Sequence, residues 1–170
     1  MRLFVFRCTV RRRPDSPGTA DRSLFFFGAH APVMRKHIHL HSLLCVIKLD
    51  IRIKPCILFA ENCVKYWVET RGFAPEKLHL GLPFYGRGDG AGAAYGKLLA
   101  ADPDALQKDM VVLDGKEIWY NGRDTLRRKV ALAKRCGMGG VMVWEISEDS
   151  GEHEKSLLTV LGQAIAPEPD

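Results

Sequence analysis

With 170 residues, 46% of them hydrophobic and 26% charged, the chain has the balance of one ordinary globular domain. Its most apolar run, Leu43 to Phe59, is broken by Lys48, Asp50, Arg52 and Lys54, which excludes a helix that spans a bilayer. The net charge of +5 comes largely from the front, where Arg2, Arg7, Arg11, Arg12 and Arg13 precede the first acid, Asp15. Such a segment is either a solvated tail or a binder of nucleic acid or anionic membrane; the tail is the plainer reading, and no nucleic-acid partner is expected. Cys8, Cys45, Cys56, Cys63 and Cys136 are odd in number and show no Cys-x-x-Cys spacing. A zinc ribbon, a thioredoxin-like site and a disulfide framework are therefore unsupported, and free, mostly buried thiols are expected. Arg7 and the arginines at 11–13 interrupt the apolar start, so it makes a poor secretory signal. Its Arg-rich, acid-poor opening has some character of an organelle transit peptide, and no compartment is assigned.

Residues 1–60 carry no sustained period and stand as an unassigned basic segment; residues 61–170 are expected to form the folded portion. In the first segment, 11–18 reads as a loop, Leu24 to Phe27 as a bare apolar run, and Val46 to Ile53 as one half-buried strand by its alternation of apolar and charged residues. Asn62 to Arg71 reads as a helix with Val64, Trp67 and Val68 on one face and Gly72 as its stop. Leu78 to Phe84 is apolar on nearly every residue, as a strand covered on both faces should be. Gly86 to Gly96 reads as a glycine-rich loop. Met110 to Tyr120 reads as a hairpin turning at Asp114-Gly115, and Asn121-Gly122 as a further turn. Thr125 to Arg135 is helical, with Asp124 as the expected cap, a stripe of Leu126, Val130 and Ala133, and Lys134 and Arg135 at the negative end before Gly137. Gly140 to Trp144 is a strand, and Ser156 to Ile165 a last helix with Leu157, Val160 and Leu161 facing inward.

A strand, a helix and a second strand, with aromatic and charged groups just past each strand end, is how parallel α/β barrels build a site. Lys77-Leu-His-Leu-Gly-Leu-Pro-Phe-Tyr-Gly-Arg87, read with Gly139-Gly-Val-Met-Val-Trp-Glu-Ile146, resembles the last third of a chitinase of glycoside hydrolase family 18. Tyr66 to Gly72 is similar to the helix before that family's seventh strand, Leu80 to Arg87 to the strand itself, and Tyr120-Asn121-Gly122 with the helix after it to the return path. Gly139 to Ile146, Asp149 and Ser156 to Leu158 look like the eighth strand and closing helix. The likeness covers roughly 62–165 and implies an α/β fold: a partial (β/α)8 barrel, strands seven and eight with their helices plus a small β-hairpin insertion. The two strands would pair in parallel, with unpaired outer edges that favour self-association.

The complete family cleaves β-1,4-linked N-acetylglucosamine polymers, the substrate's own acetamido group acting as nucleophile and one glutamate as general acid. That glutamate ends an Asp-x-x-Asp-x-Asp-x-Glu run on the fourth strand, and a Met-x-Tyr-Asp run lies on the sixth. Neither run occurs in this sequence. Glu145, Glu148, Ser150 and Glu152 match the first spacing with a serine in place of a carboxylate, in a polar loop, and are read as chance. Residues 43–60 stand where the sixth strand should be and hold no tyrosine; no likeness to the family is visible in 1–60. The resemblance thus implies a chitinase-like chain that is inactive alone, with no catalytic residue of its own, or a non-catalytic binder of chitin or N-acetylglucosamine oligosaccharide.

Three residues match the family's sugar pocket. Trp144, at a strand end, offers an aromatic face to the C–H face of a pyranose, against the reading of a core tryptophan. Tyr85 and Arg87 bring a hydroxyl and a guanidinium to sugar oxygens, against the reading of a solvated charge. Pro83 is read as shaping the strand end, Glu145 as structural, and Trp119 and Tyr120 as hairpin packing. His37, His39 and His41 share one face of any strand, but no carboxylate or cysteine completes a metal set. Gly86 to Gly92 lacks the Gly-Lys-Ser/Thr ending of a phosphate loop. No metal and no cofactor are expected.

Overall fold

Leu78, Leu80 and Leu82, all 0% exposed, alternate with His79, Gly81 and Pro83 along a strand buried on every residue. A strand covered on both faces belongs inside a parallel sheet flanked by helices, and that is where this one lies. The structure, a computed structural model, describes residues 1–6, 45–47 and 57–167. The described residues belong to one compact unit; the loop at 11–18, the apolar run at Leu24, the three alternating histidines and 48–53 of the expected strand lie outside the described residues.

The strands of the parallel sheet are β1 (Arg2–Phe6), β2 (Cys45–Ile47), β3 (Leu78–Pro83) and a later strand, Gly140–Trp144; their order is β1, Gly140–Trp144, β3, β2. His79 to Pro83 pairs in parallel with Gly140 to Trp144, as expected. The outer edges are not bare. Arg2 to Phe6 pairs in parallel with Gly140 to Trp144, and Cys45 to Ile47 with Leu78 to Leu80. This corrects the expectation of unpaired edges on the two central strands and removes the ground for self-association through them. The order is that of an arc of a (β/α)8 barrel, in which the strand of 45–47 stands in the sixth place and the N-terminal strand joins the last as the first strand does when a barrel closes. Among the described residues the sheet is an open arc of four strands, not a closed barrel.

Helix α1 (Ile57–Lys65) begins five residues earlier than the sequence pattern places it and runs on into a single π-turn, Tyr66–Thr70. Gly72, at φ 67°, ends it as expected. Trp67 closes this corner, with its ring 5.3 Å from that of Phe73 and the Arg71 guanidinium 5.6 Å above it.

Past β3 the chain forms a second, antiparallel sheet. β4 (Tyr85–Gly88) and β5 (Ala91–Ala94) make one hairpin, β6 (Met110–Leu113) and β7 (Lys116–Trp119) the other, and the order β5-β4-β7-β6 sets them side by side. The expected glycine-rich loop is therefore mostly strand. Asp89 and Gly90, at φ 45° and 73°, make the same two-residue turn that Asp114 and Gly115 make at 51° and 74°. The expected small hairpin is half of a larger insertion. Gly88 lets the halves meet: a Cβ there would lie 1.8 Å from the Glu117 carbonyl oxygen. Asp89 adds a bond across the seam by accepting the Glu117 N–H at 3.2 Å.

Helix α2 (Tyr95–Ala101) follows β5, and α3 (Arg123–Arg135) leads into β8 (Gly140–Trp144). The stripe of α3 is as read: Leu126, Val130 and Ala133 are fully buried, and Gly137 closes the helix at φ 64°. Its cap differs. Gly122 occupies the cap position, and Asp124 lies inside the first turn, paired with Arg127 at 2.9 Å on the surface. A remote carboxylate does the capping work instead: Asp109 accepts the Gly122 N–H at 2.7 Å and the Thr125 hydroxyl at 2.6 Å. Helix α4 (Leu157–Ile165) is capped by Ser156, whose hydroxyl accepts from the Leu158 and Thr159 amides and donates to Asp149. Cys63 and Cys136 are free and half-buried.

Candidate functional site

The two sheets meet at the C-terminal ends of β3 and β8. Pro83 lies opposite Trp144 in the parallel register. The next residue, Phe84, donates its N–H to the Trp144 carbonyl at 2.9 Å and accepts from the Tyr95 N–H at 3.1 Å, with its ring fully buried. One buried residue thus fastens the rim of the parallel sheet to the start of the antiparallel one. Tyr85 and Arg87 follow directly on β4.

Those two side chains are brought together. The Arg87 guanidinium lies 5.3 Å from the centre of the Tyr85 ring, a cation resting on an aromatic face. Gly92 stands opposite Arg87 in the hairpin register, and a Cβ there would come within 3.3 Å of a guanidinium nitrogen, so the small residue leaves room for this arrangement. Tyr85, Arg87, Ala93, Lys97 and Glu148 line a cleft of about 320 Å³. Trp144 stands at the neighbouring strand end, outside that lining. The residue is 38% exposed, at the rim of the sheet. The Trp144–Glu145 peptide is cis. Glu145 accepts a hydrogen bond from the Ser147 hydroxyl.

Glu148 was not singled out by the sequence as a site residue. A short 3-10 turn, Ile146–Glu148, carries it back from the end of β8 into the cleft wall. Burial first, and Glu145 beside it second, push its carboxyl above the usual glutamate range, while Arg87 opposes them. Neither Glu148 nor Arg87 forms an ion pair within 4 Å among the described residues. The available signal was position: Glu148 comes four residues after the strand-end tryptophan.

Beneath the rim lies a buried polar pair that sequence reading also missed. Lys129 on α3 is 0% exposed, and its ammonium donates to the Asn121 Oδ1 at 2.6 Å. Asn121 in turn donates its Nδ2 to the Pro83 carbonyl at 3.0 Å. The turn residue of the sequence is thus a strut that holds the end of β3. Tyr120 is core, as expected of hairpin packing: its hydroxyl donates to the Ala105 carbonyl at 2.7 Å and its ring is fully buried. A second cleft of about 330 Å³, lined by Arg123, Arg127, His153 and Glu154 with residues of α4, holds none of the sequence-selected residues. Among the described residues, no group of three His, Cys, Asp or Glu is placed to hold a metal ion. No helix among them is long and apolar enough to cross a membrane.

The model of glycosyl hydrolases family 18 matches residues 23–149. The match begins at Ser23, which corrects the expectation that residues 1–60 bear no likeness to the family. Among solved structures, the fold is similar to a family 18 chitinase, ChiB, from the chitin utilization locus of Flavobacterium johnsoniae, at 33% identity and a TM-score of 0.55; 64% of this chain and 34% of that one are covered. It is similar to a chitinase of Bacteroides thetaiotaomicron at 28% identity and a TM-score of 0.58, over 66% of this chain and 39% of that one. Human YKL-39, described as a pseudo-chitinase with retained chitooligosaccharide binding, shares the fold at 19% identity and a TM-score of 0.53, over 62% of this chain and 39% of that one. No curated protein sequence matches the chain. The chain spans between a third and two fifths of the length of the chitinases it matches. With three quarters of its residues under the family model, and with the parallel arc, the strand-end tryptophan and the aromatic hairpin in place, the chain belongs to glycosyl hydrolases family 18.

Proposed function

We propose that these residues form one side of a chitooligosaccharide-binding cleft, and that the chain as given binds N-acetylglucosamine oligosaccharide without cleaving it. The observation that carries this reading is Trp144: a large aromatic residue, 38% exposed, at the C-terminal rim of a parallel sheet where sites of this architecture form. Tyr85 and Arg87 begin two residues beyond its register partner Pro83 and supply a hydroxyl and a guanidinium beside the apolar face. Stacking and hydrogen bonding are what a pyranose asks of a protein. The general acid of the family's reaction is the missing part. Glu148 does not replace it: it lies on the turn after β8, whereas that acid ends a strand whose Asp-x-x-Asp-x-Asp-x-Glu run the 170 residues do not contain.

Affinity for the N-acetylglucosamine tetramer, measured by calorimetry, tests the binding arm; Trp144→Ala should weaken it about tenfold. Unchanged affinity in that variant removes Trp144 from the site. Fluorophore release from a chitobioside tests the second arm. A general acid contributes about 10²–10⁴ in rate, so hydrolysis by the pure chain at the rate of a complete family member would overturn the non-catalytic reading.

A further inference from the structure

Resting on the oligosaccharide reading of the Tyr85–Arg87 cleft, we infer that Glu148 reads the acylation state of the bound sugar, favouring a free amine over an acetamide at the position it faces. Glu148 is the one carboxylate among the residues lining this cleft, and it is half-buried. It has no cation within ion-pair distance among the described residues, although Arg87 is close enough to act on it electrostatically. Arg87 instead rests on the Tyr85 ring. Glu145 adds a second negative charge nearby, and burial keeps the carboxylate from being fully hydrated. A partly desolvated carboxylate of this kind gains from an ammonium and gains nothing comparable from a neutral amide. The ammonium of glucosamine is the cation that an oligosaccharide of this class can present.

Arg87 and Lys97 also line the cleft and repel a cationic sugar. They set the absolute affinity. They do not set the sign of the change when Glu148 alone is neutralised, because both remain in the variant. The titratable and charged groups around Glu148 are thus Glu145 on the same turn, Arg87 on β4 and Lys97 on α2.

The test compares the tetramers of N-acetylglucosamine and of glucosamine by calorimetry, on the full chain and on Glu148→Gln. The substitution should weaken the glucosamine tetramer by about three- to fivefold relative to the acetylated one. The same ratio in both proteins overturns the inference and leaves the oligosaccharide reading standing. A wild-type chain that binds neither tetramer overturns both. A salt series on both proteins gives a second check: the loss of glucosamine-tetramer affinity caused by the substitution should shrink as salt is added. A loss that salt leaves unchanged counts against the inference.

Discussion

The parallel sheet and the antiparallel sheet are built in opposite ways. The first is assembled from segments far apart in the chain, Arg2–Phe6, Cys45–Ile47, β3 and β8, and its centre is packed with leucine and valine. The second is local: two hairpins, each turning on Asp-Gly, with one strand made only of alanine and glycine. The first supplies a stiff rim and a tryptophan at its edge. The second supplies most of the cleft wall, with Tyr85 and Arg87 on β4. The lesson is a division of labour between a buried framework, whose side chains are spent on packing, and an insertion whose small residues line a cleft and leave room for the Arg87 guanidinium.

If that division is real, damage to each sheet should show in a different measurement. The largest effect is expected from Leu80→Ala in β3, where a fully buried side chain is cut away. The cost should be about 2–5 kcal/mol in urea unfolding, against less than about 0.5 kcal/mol for Val112→Ala in β6, which is 62% exposed. Equal costs at the two positions would break the comparison. Next comes Gly88→Ala. Its Cβ would meet the Glu117 carbonyl at 1.8 Å, so the hairpins must part, at a cost of about 1–3 kcal/mol. Oligosaccharide binding should fall by more than this loss of stability explains, because β4 carries Tyr85 and Arg87. Asn121→Ala tests the strut between the regions. It removes an acceptor from the buried Lys129 and a donor from the Pro83 carbonyl, and should cost about 1–3 kcal/mol. A variant as stable as the parent would mean that water or another group takes over both bonds.

The framework was the more legible region, and only in part. β3, β8 and α3 show in the sequence because burial leaves a periodic apolar trace: Leu78, Leu80 and Leu82, then Val141 and Val143, then Leu126, Val130 and Ala133. The pairing of Arg2–Phe6 with β8 leaves no such trace, since parallel partners are joined by long connections and nothing local names them. The β4–β5 hairpin carries the same Asp-Gly signal as the β6–β7 hairpin. It reads as loop because Ala91-Gly-Ala-Ala94 lacks the β-branched and aromatic residues that mark strands. The cap of α3 was misplaced for a related reason: Asp124 has the right chemistry at the right distance along the chain, while Asp109, which does the work, is remote in sequence. At the site, Tyr85, Arg87 and Trp144 could be named from their strand-end positions. Glu148 could not, because its importance comes from a turn that folds it into the cleft and from its burial there.

The smallest effect should be the pH dependence that Glu148 imposes on stability. Its carboxyl sits above the usual glutamate value in the folded chain, through burial and through Glu145, against the pull of Arg87. Between the usual value, about 4.3, and the raised one, the native state therefore holds more protons than the unfolded state. The contribution of Glu148 to stability must fall as pH rises through that window, and the loss persists above it, since ionising the half-buried carboxyl costs more in the fold than in water. Glu148→Gln keeps the shape and removes the proton equilibrium. The urea midpoint of the parent should accordingly decline relative to that of the variant from acid toward neutral pH, with the difference levelling off at the acid end. The opposite order, a parent that gains stability relative to the variant as pH rises, would mean that Arg87 outweighs burial and Glu145 together. The cleft would then hold an internal ion pair rather than a carboxylate waiting for a cation, and the proposed discrimination between amine and acetamide would lose its physical basis.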